Sequence, residues 1–221
     1  MPQTFDWADI DIVLLDMDGT LIDLHYDNTL WNAALPERYA QQNDITLSAA
    51  RDHLFAQMRK FRSTIEFYCL DYWAEFTDLD ILDLHAELAP LIRYRPGSES
   101  FLRALQTLQV RSVLATNAHP DSVAVKDSVL DICRHFDRIA TAHERREVKE
   151  SQAYWVSLQR AEDFDPQRAL FVDDNETVIE SARRFGIGHL FYVTQPDSHR
   201  PARTPAGEWN TVNRLDELLP A

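Results

Sequence analysis

Acidic side chains follow a short apolar segment near the start of the chain, where they could serve as nucleophile, acid or metal ligand. Residues 12–15 are four consecutive apolar residues, too few for a helix, and they lead directly into Asp16 and Asp18. Such a run is typical of a strand buried on both faces, and ligands bind at the carboxyl ends of strands in open α/β sheets. Gly19 permits a sharp turn there, and Thr20 adds a hydroxyl. Asp-Gly is also an ordinary turn signal, but a turn alone does not explain a charge at the end of a buried strand.

Two later apolar segments end in polar residues in the same way. One ends at Thr116 and Asn117, and the other, residues 169–172, ends at Asp173 and Asp174. Each has a simpler alternative, since Thr116 could close an ordinary turn and acids at a helix start are favoured by the helix dipole. Because the carboxyl ends of parallel strands share one edge of a sheet, we expect a single site built from all three segments.

The elements that must position these residues alternate between strands and helices. Short apolar segments, with further ones at 138–141 and 190–193, are separated by helical periodicity, which predicts a doubly wound parallel α/β sheet of five or more strands. Residues 195–208 are expected to form a loop, because they contain three prolines and a glycine.

A long helical segment without a convincing strand interrupts this pattern after the first strand. Apolar residues recur at steps of three and four in about four helices, with Asp80 as a helix cap and Pro36 at a helix start or kink. We therefore predict an α/β core of residues 1–24 and 95–221 and a helical domain of residues 25–94. A helical subdomain without a role in the active site is the alternative.

Composition restricts the partners of the chain. The net charge of −14 over 221 residues argues against a nucleic-acid binder and means that any phosphate site needs local positive charge.

Cys69 and Cys133 are isolated and are expected to be reduced. Residues 1–10 lack a signal-peptide pattern and no segment is long and apolar enough to span a membrane, so the expected location is cytoplasmic. The oligomeric state stays open.

The segment Asp16-Met17-Asp18-Gly19-Thr20 resembles the first motif of the haloacid dehalogenase-like (HAD) phosphohydrolases. The order in which Thr116, Lys149 and the Asp173-Asp174 pair follow also resembles that family, and the helical segment occupies the place of its C1 cap. The resemblance implies a phosphomonoesterase with a Rossmann-like core, in which Asp16 is the nucleophile and Asp18 the general acid and base.

Carboxylates placed so close together would repel one another, and a divalent cation relieves that repulsion. Mg²⁺ prefers oxygen ligands and binds through a few carboxylates together with phosphate. The resemblance implies Asp16, Asp174 and the backbone carbonyl of Asp18 as ligands. Asp173 stands where the family more often has Gly, so which of Asp173 and Asp174 touches the metal stays open.

The resemblance also implies a set of phosphate-binding groups. They are expected to be the Thr116 hydroxyl, the Lys149 ammonium and backbone N–H groups from Asp18 to Thr20, including Gly19, and around Asn117. Lys149 is followed by Glu150 where the family usually has Pro, so its assignment depends on its place in the motif order. Lys126 is the competitor, but it follows Thr116 too soon.

The leaving group must be recognised by the helical segment, which is rich in aromatic residues and carries four polar candidates for substrate contact: Asp27, Asn28, Arg59 and Arg62. The strings at 68–73 and 117–120 resemble bacterial purine nucleotidases of this family, which hydrolyse GMP and IMP. A small phosphorylated substrate, a purine nucleotide, is therefore expected. The alternatives are a sugar phosphate or phosphoglycolate, a phosphomutase, a 2-haloacid dehalogenase with neither metal nor acid, and a binding module without activity.

Overall fold

The computed structural model describes residues 5–220 and has a parallel β-sheet at its centre. The described strands are Ile12–Leu15 (β1), Arg111–Thr116 (β2), Arg138–Thr141 (β3), Ala169–Asp173 (β4), His189–Val193 (β5) and Asn210–Val212 (β6). They lie in the order β3-β2-β1-β4-β5-β6, with parallel pairing throughout. Strands β2 and β3 thus lie on one side of β1, and strands β4, β5 and β6 lie on the other. The predicted doubly wound α/β fold is confirmed.

Helices cover both faces of this sheet because its central strands are apolar on both sides. Among residues 5–220, six α-helices, α1 to α6, belong to the helical insertion described below. The α-helices of the sheet domain are Ser98–Leu108 (α7), Pro120–Leu130 (α8), Ala142–Arg145 (α9), Gln152–Glu162 (α10) and Glu176–Phe185 (α11). Apolar residues of α7 and α8 pack on one face, and those of α10 and α11 pack on the other. Every residue of β1 and β4 is buried, as their uninterrupted apolar runs predict.

A helical insertion separates β1 from β2. Its helices are His25–Thr29 (α1), Leu35–Gln42 (α2), Leu47–Lys60 (α3), Ile65–Tyr68 (α4), Leu70–Thr77 (α5) and Ile81–Glu87 (α6). It has a small apolar core of its own, made of Leu35, Leu54, Leu70, Trp73, Ile81 and Leu84. Within residues 5–220, no helix is long and apolar enough to cross a membrane.

The two connections between insertion and sheet are fastened to each other. Ile22 forms an antiparallel bridge with Tyr94, and Arg93 Nε donates to Asp23 Oδ2 at 3.0 Å. Tyr26 in α1 nevertheless packs into the apolar cluster of the sheet. The division into a core of residues 1–24 and 95–221 and a cap of residues 25–94 stays our proposal, and residues 1–4 and 221 lie outside the described part.

Two details differ from the helices and strands expected from the pattern. Residues 65, 69, 72 and 76 have the apolar spacing of a single helix, but the chain turns extended at Cys69, which separates α4 from α5. Strand β6 was not predicted, because it has three residues and only Val212 is buried. Pro36 lies in the first turn of α2 directly after a π-helical turn, Leu30–Ala34, which confirms the expected irregularity.

The packing of α7 on the sheet makes a stability prediction. Leu105 is 1% exposed in the core, whereas Leu82 in α6 is 44% exposed. Leu105→Ala should lower the free energy of unfolding by about 2–5 kcal/mol, because it removes buried methyl groups and leaves a cavity. Leu82→Ala, the same change at an exposed position, should alter it by less than about 0.5 kcal/mol. Urea denaturation followed by tryptophan fluorescence measures both, and equal losses would contradict this packing.

Candidate active site

The carboxyl ends of three neighbouring strands bring the predicted acidic residues together. β1 pairs with both β2 and β4, so Asp16, Thr116 and Asp173 emerge side by side at one edge of the sheet. Carboxylate oxygens of Asp16, Asp173 and Asp174 lie within 4.8 Å of one another. The topology of the sheet therefore produces the single site that the sequence pattern predicts.

Lys149 enters this site from the turn between α9 and α10. Its side chain is 2% exposed, and its Nζ donates to Asp16 Oδ1 and, at 2.8 Å, to Asp173 Oδ2. Burial opposes its charge, but the carboxylates of Asp16 and Asp173 raise the pKa of Lys149 well above its usual value. A permanently charged lysine thus occupies the position next to Asp16.

Asp173 and Asp174 have different partners, although they are adjacent in the sequence. Asp173 accepts hydrogen bonds on both oxygens, from Lys149 at 2.8 Å and from the Asn175 N–H at 2.8 Å. The Asp174 carboxylate has, among the described residues, only Arg203 at 3.4 Å. Asp174 is therefore the acid with lone pairs available to a cation, and Asp173 orients the lysine.

Gly19 allows this second acid to approach the first turn. Its φ is +85°, and a Cβ at this position would lie 2.7 Å from Asp174 Cγ. A side chain here would displace Asp174 as well as strain the backbone. The glycine in the first motif thus has a steric role in the site.

Burial removes solvent from the carboxyl groups of Asp16, Asp173 and Asp174, which makes them harder to ionise. Burial, partly opposed by the Lys149 charge, raises the pKa of Asp16 to about 7 and that of Asp173 to about 6. Burial and the neighbouring Asp16 carboxylate raise the pKa of Asp174 to about 7. Positive charge that enters between them would favour the ionised forms.

Lys126 belongs to the site, although the sequence analysis set it aside as a competitor for the place of Lys149. It is fully buried in α8, and its Nζ donates to Asp18 Oδ1 at 2.6 Å and to Asp27 Oδ1 at 3.0 Å. It does not replace Lys149, because it serves the second aspartate rather than the first. The available signal was its position three residues after Val123, which puts it on the buried face of α8.

The amide groups of the first turn differ in their availability for phosphate. The Gly19 N–H donates to the Ile22 carbonyl at 2.8 Å, so the predicted donor set from Asp18 to Thr20 is corrected at this position. The Thr20 hydroxyl is fully buried and does not line the cleft, whereas no backbone acceptor is found in the described chain for the Thr20 N–H, so that N–H stays a predicted phosphate donor. In the described chain, the N–H groups of Met17 and Asp18 have no protein acceptor, which leaves them able to bind an anion.

Thr116 and Asn117 have separate tasks. The Thr116 oxygen accepts the N–H of Ala118 at 3.0 Å, which leaves its hydroxyl proton free to donate. Asn117 instead holds the lysine loop, since its Oδ1 accepts the Lys149 N–H at 2.9 Å and its Nδ2 donates to Glu150 at 2.9 Å. Asn117 thus positions Lys149 through its side chain.

Glu150 also connects the helical insertion to this loop. The Tyr68 hydroxyl in α4 donates to Glu150 Oε1 at 3.0 Å, while Glu150 Oε2 accepts from Asn117. In the sequence, Glu150 is notable only because it stands where the family usually has Pro. In the structure it is one of the residues through which the insertion contacts the loops of the core.

The acidic edge forms the floor of a cleft of about 370 Å³ between sheet and insertion. The insertion contributes a largely apolar wall of Trp31, Met58, Phe67, Tyr68, Leu70 and Trp73. Asp27 and Asn28 also line the cleft, and their contact with substrate stays a prediction. Arg59 and Arg62 are exposed and lie outside its lining, so for them a substrate contact stays a prediction without support from this geometry.

Comparison with known proteins identifies the class of the chain. A model of the haloacid dehalogenase-like hydrolase family matches residues 10–186, and the chain therefore belongs to that family. It is 38% identical over 192 residues to the GMP/IMP nucleotidase YrfG of Escherichia coli K12, which covers 87% of this chain and 86% of that protein. The predicted HAD-family enzyme, a phosphatase, is thereby confirmed.

Two solved structures share the fold at low sequence identity. The HAD phosphatase from Thermococcus onnurineus superposes with a TM-score of 0.78 at 16% identity, over 95% of this chain and 96% of that one. The L-2-haloacid dehalogenase from Xanthobacter autotrophicus gives a TM-score of 0.65 at 16% identity, with the same coverage. Phosphatases and dehalogenases thus share this architecture, and the fold does not distinguish the two reactions.

The raised pKa values predict how stability depends on pH. In a chelator, the thermal midpoint should fall as the pH rises from about 5 to about 7, because the folded state binds more protons than the unfolded state in this window. Scanning calorimetry at several pH values measures the slope. Asp174→Asn should reduce it, whereas Asp52→Asn on the exposed surface should not. A midpoint that rises across the window would contradict the assigned burial.

Proposed function

We propose that the protein is a Mg²⁺-dependent phosphomonoesterase that acts through an aspartyl phosphate on Asp16, and that its substrates are the purine 5′-monophosphates GMP and IMP. The observation that carries the proposal is the pairing of two aspartates on the cleft floor, Asp16 and Asp18, with two buried lysines. Lys149 holds Asp16, while Lys126 holds Asp18 two residues further on. This arrangement supports a fixed nucleophile beside a separate proton carrier. The cytoplasmic location expected from the sequence stays a prediction.

The residues present fit a magnesium ion. The oxygens of Asp16, Asp173 and Asp174 converge, and Asp174 retains free lone pairs. We assign Asp16, Asp174 and the Asp18 backbone carbonyl as ligands and Asp173 as the group that orients Lys149. Bound there, Mg²⁺ would offset the charge of the phosphate and the acids, which the chain's net charge of −14 makes necessary.

In the first step, an Asp16 oxygen attacks the phosphorus and the bond to the leaving oxygen breaks. Asp18 gives its proton to that oxygen, so the alcohol departs neutral. Lys149, the Thr116 hydroxyl and the free N–H groups of Met17 and Asp18 can stabilise the phosphoryl oxygens. In the second step, Asp18 takes a proton from water, which attacks the phosphorus and releases Asp16 and inorganic phosphate.

Asp18 must approach the leaving oxygen and then the water, and its surroundings suit that task. Lys126 Nζ lies 2.6 Å from Asp18 Oδ1 and also contacts Asp27 from the insertion. The contact fixes the carboxyl between the sheet edge and the cap side of the cleft. Because Lys126 contacts both Asp18 and Asp27, and Asp27 lies in α1, a shift of α1 would also shift the proton carrier Asp18.

The leaving group would lie against the insertion. Trp31, Phe67 and Trp73 provide aromatic surface for a flat base. Asn32, held by its Nδ2 bond to Asn28 Oδ1 at 3.2 Å, provides an amide oxygen for the edge of the base. The E. coli relative is named for GMP and IMP, and its similarity to this chain extends over the insertion as well as the core. Both observations support purine nucleotides over sugar phosphates, phosphoglycolate or a mutase substrate.

A dehalogenase would use Asp16 in the same way but needs neither metal nor proton donor, because halide leaves without protonation. In this chain Asp18 is held by a buried lysine, and Asp174 faces Asp16 with lone pairs free. These costly buried charges have no use in halide displacement. The site therefore supports phosphate chemistry.

The nucleophile can be tested with p-nitrophenyl phosphate in the presence and absence of Mg²⁺. Asp16→Asn should abolish turnover in a protein that still folds, as its circular dichroism spectrum would show, because Asn is nearly isosteric but a poor nucleophile. Asp18→Asn should lose leaving-group protonation and accumulate phosphorylated protein, detectable by mass spectrometry. If Asp16→Asn kept a tenth of wild-type kcat, about 1.4 kcal/mol of barrier, the covalent mechanism would be excluded.

Substrate choice can be tested with a panel of phosphate monoesters compared by kcat/KM. GMP and IMP should exceed AMP, sugar phosphates and phosphoglycolate by at least about tenfold, equal to about 1.4 kcal/mol of discrimination. Trp31→Ala should reduce kcat/KM for GMP more than for p-nitrophenyl phosphate, since only the nucleotide carries a purine. Similar kcat/KM values for all the phosphate monoesters would contradict the nucleotidase assignment but not the phosphatase activity.

A further inference from the structure

A cysteine and two histidines meet at the rim of the cleft, apart from the carboxylate site. Cys69 lies at the break between α4 and α5, His119 directly before α8, and His143 within α9. One ligand atom from each lies within 4.8 Å of the others. We propose that these three residues form a second metal site, specific for Zn²⁺ or a similar borderline transition-metal ion, which joins the helical insertion to the sheet domain.

The donor atoms decide which ion this site can hold. Thiolate sulfur and imidazole nitrogen are ligands for Zn²⁺, whereas Mg²⁺ takes oxygen ligands and would not bind here. Ligand atoms around tetrahedral zinc lie about 3.5 Å apart, so the observed spacing requires side-chain movements of about 1 Å. The two sites of the protein therefore differ in donor chemistry and can be loaded separately.

His143 gives independent evidence for a ligand. Both of its ring nitrogens are buried, and neither has a hydrogen-bond partner among the described residues. Its ring packs against that of His119 with centroids 4.6 Å apart. A buried polar atom is almost always paired, so an imidazole without any partner beside a thiol and a second imidazole indicates an ion as the intended partner.

His119 is oriented as a ligating histidine should be. Its Nε2 faces Asp71 Oδ2 at 3.8 Å, and its Nδ1 lies 3.6 Å from an Asp121 carboxylate oxygen. Nδ1 now accepts the Asp121 N–H at 3.3 Å. Metal binding through Nε2 places the ring proton on Nδ1, where the Asp121 carboxylate accepts it, as is usual for metal-bound histidine. Asp71, which is exposed, can supply the fourth ligand.

The ligands come from both sides of the cleft. Cys69 and Asp71 belong to the insertion, and the two histidines belong to the sheet domain. A bound ion would therefore hold the insertion against the core and restrict the opening that substrate exchange requires. Zn²⁺ should then slow turnover at saturating Mg²⁺. This consequence rests on the proposed phosphatase activity, whereas metal binding itself does not.

Cobalt titration of the full-length protein in excess Mg²⁺ tests the site, because Co²⁺ substitutes for Zn²⁺ and reports its ligands optically. Wild type should bind one equivalent with a near-ultraviolet thiolate charge-transfer band and tetrahedral visible bands, both removed by one equivalent of Zn²⁺. Cys69→Ser should lose the thiolate band, and His143→Gln should lower Co²⁺ affinity by at least about tenfold. Cys133→Ser, the matched control at the other free cysteine, should behave as wild type.

Calorimetry in the presence of a chelator distinguishes loss of a metal ligand from loss of the fold. Without metal, Cys69→Ser and Cys133→Ser should have the same thermal midpoint, because neither substitution then removes a metal contact. With added Zn²⁺, only wild type and Cys133→Ser should gain stability and lose activity. Absence of a thiolate band in wild type, or an unchanged band in Cys69→Ser, would overturn the proposal. Octahedral Co²⁺ bands alone would place the ion at the aspartates, which would refute this second site and leave the proposed phosphatase intact.

Discussion

The structure depends on burying several acidic side chains at one edge of a sheet and holding four of them with two buried lysines. Lys149 bridges Asp16 and Asp173, and Lys126 bridges Asp18 and Asp27. Removal of either lysine would leave acids buried without a partner, which is among the more damaging changes a core can suffer. The apolar strands, the tight turn at the first motif and the loop before α10 serve to hold these charges in place.

The two lysines also divide the chemistry of the site. Lys149 comes from the core and contacts only core acids, so the position of Asp16 is set within the sheet domain. Lys126 contacts Asp18 from the core and Asp27 from the insertion. The lysine that holds the nucleophile thus contacts acids of the sheet domain, whereas the lysine that holds the proton carrier also contacts an acid of the insertion. Movement of the insertion would change the second group more than the first.

Polar contacts attach the insertion to residues around the site, and they differ from the apolar packing of its interior. Tyr68 reaches Glu150, and Asp27 reaches Lys126, whereas the packing of α3, α5 and α6 is a small core of its own. Polar contacts of this kind form and break at lower cost than buried apolar surface. Substrate recognition on the insertion is therefore compatible with a rigid reacting edge on the sheet.

The sequence by itself determined the class of fold, the helical insertion and the acidic edge, because apolar periodicity and short-range motifs encode strands, helices and the turns at their ends. Tertiary structure alone decided which groups meet across long sequence separations. It paired Lys126 with Asp18, separated the roles of Asp173 and Asp174, and left Arg59 outside the cleft. Spacing along the chain cannot reveal such outcomes, since partners and burial depend on how elements distant in sequence pack together.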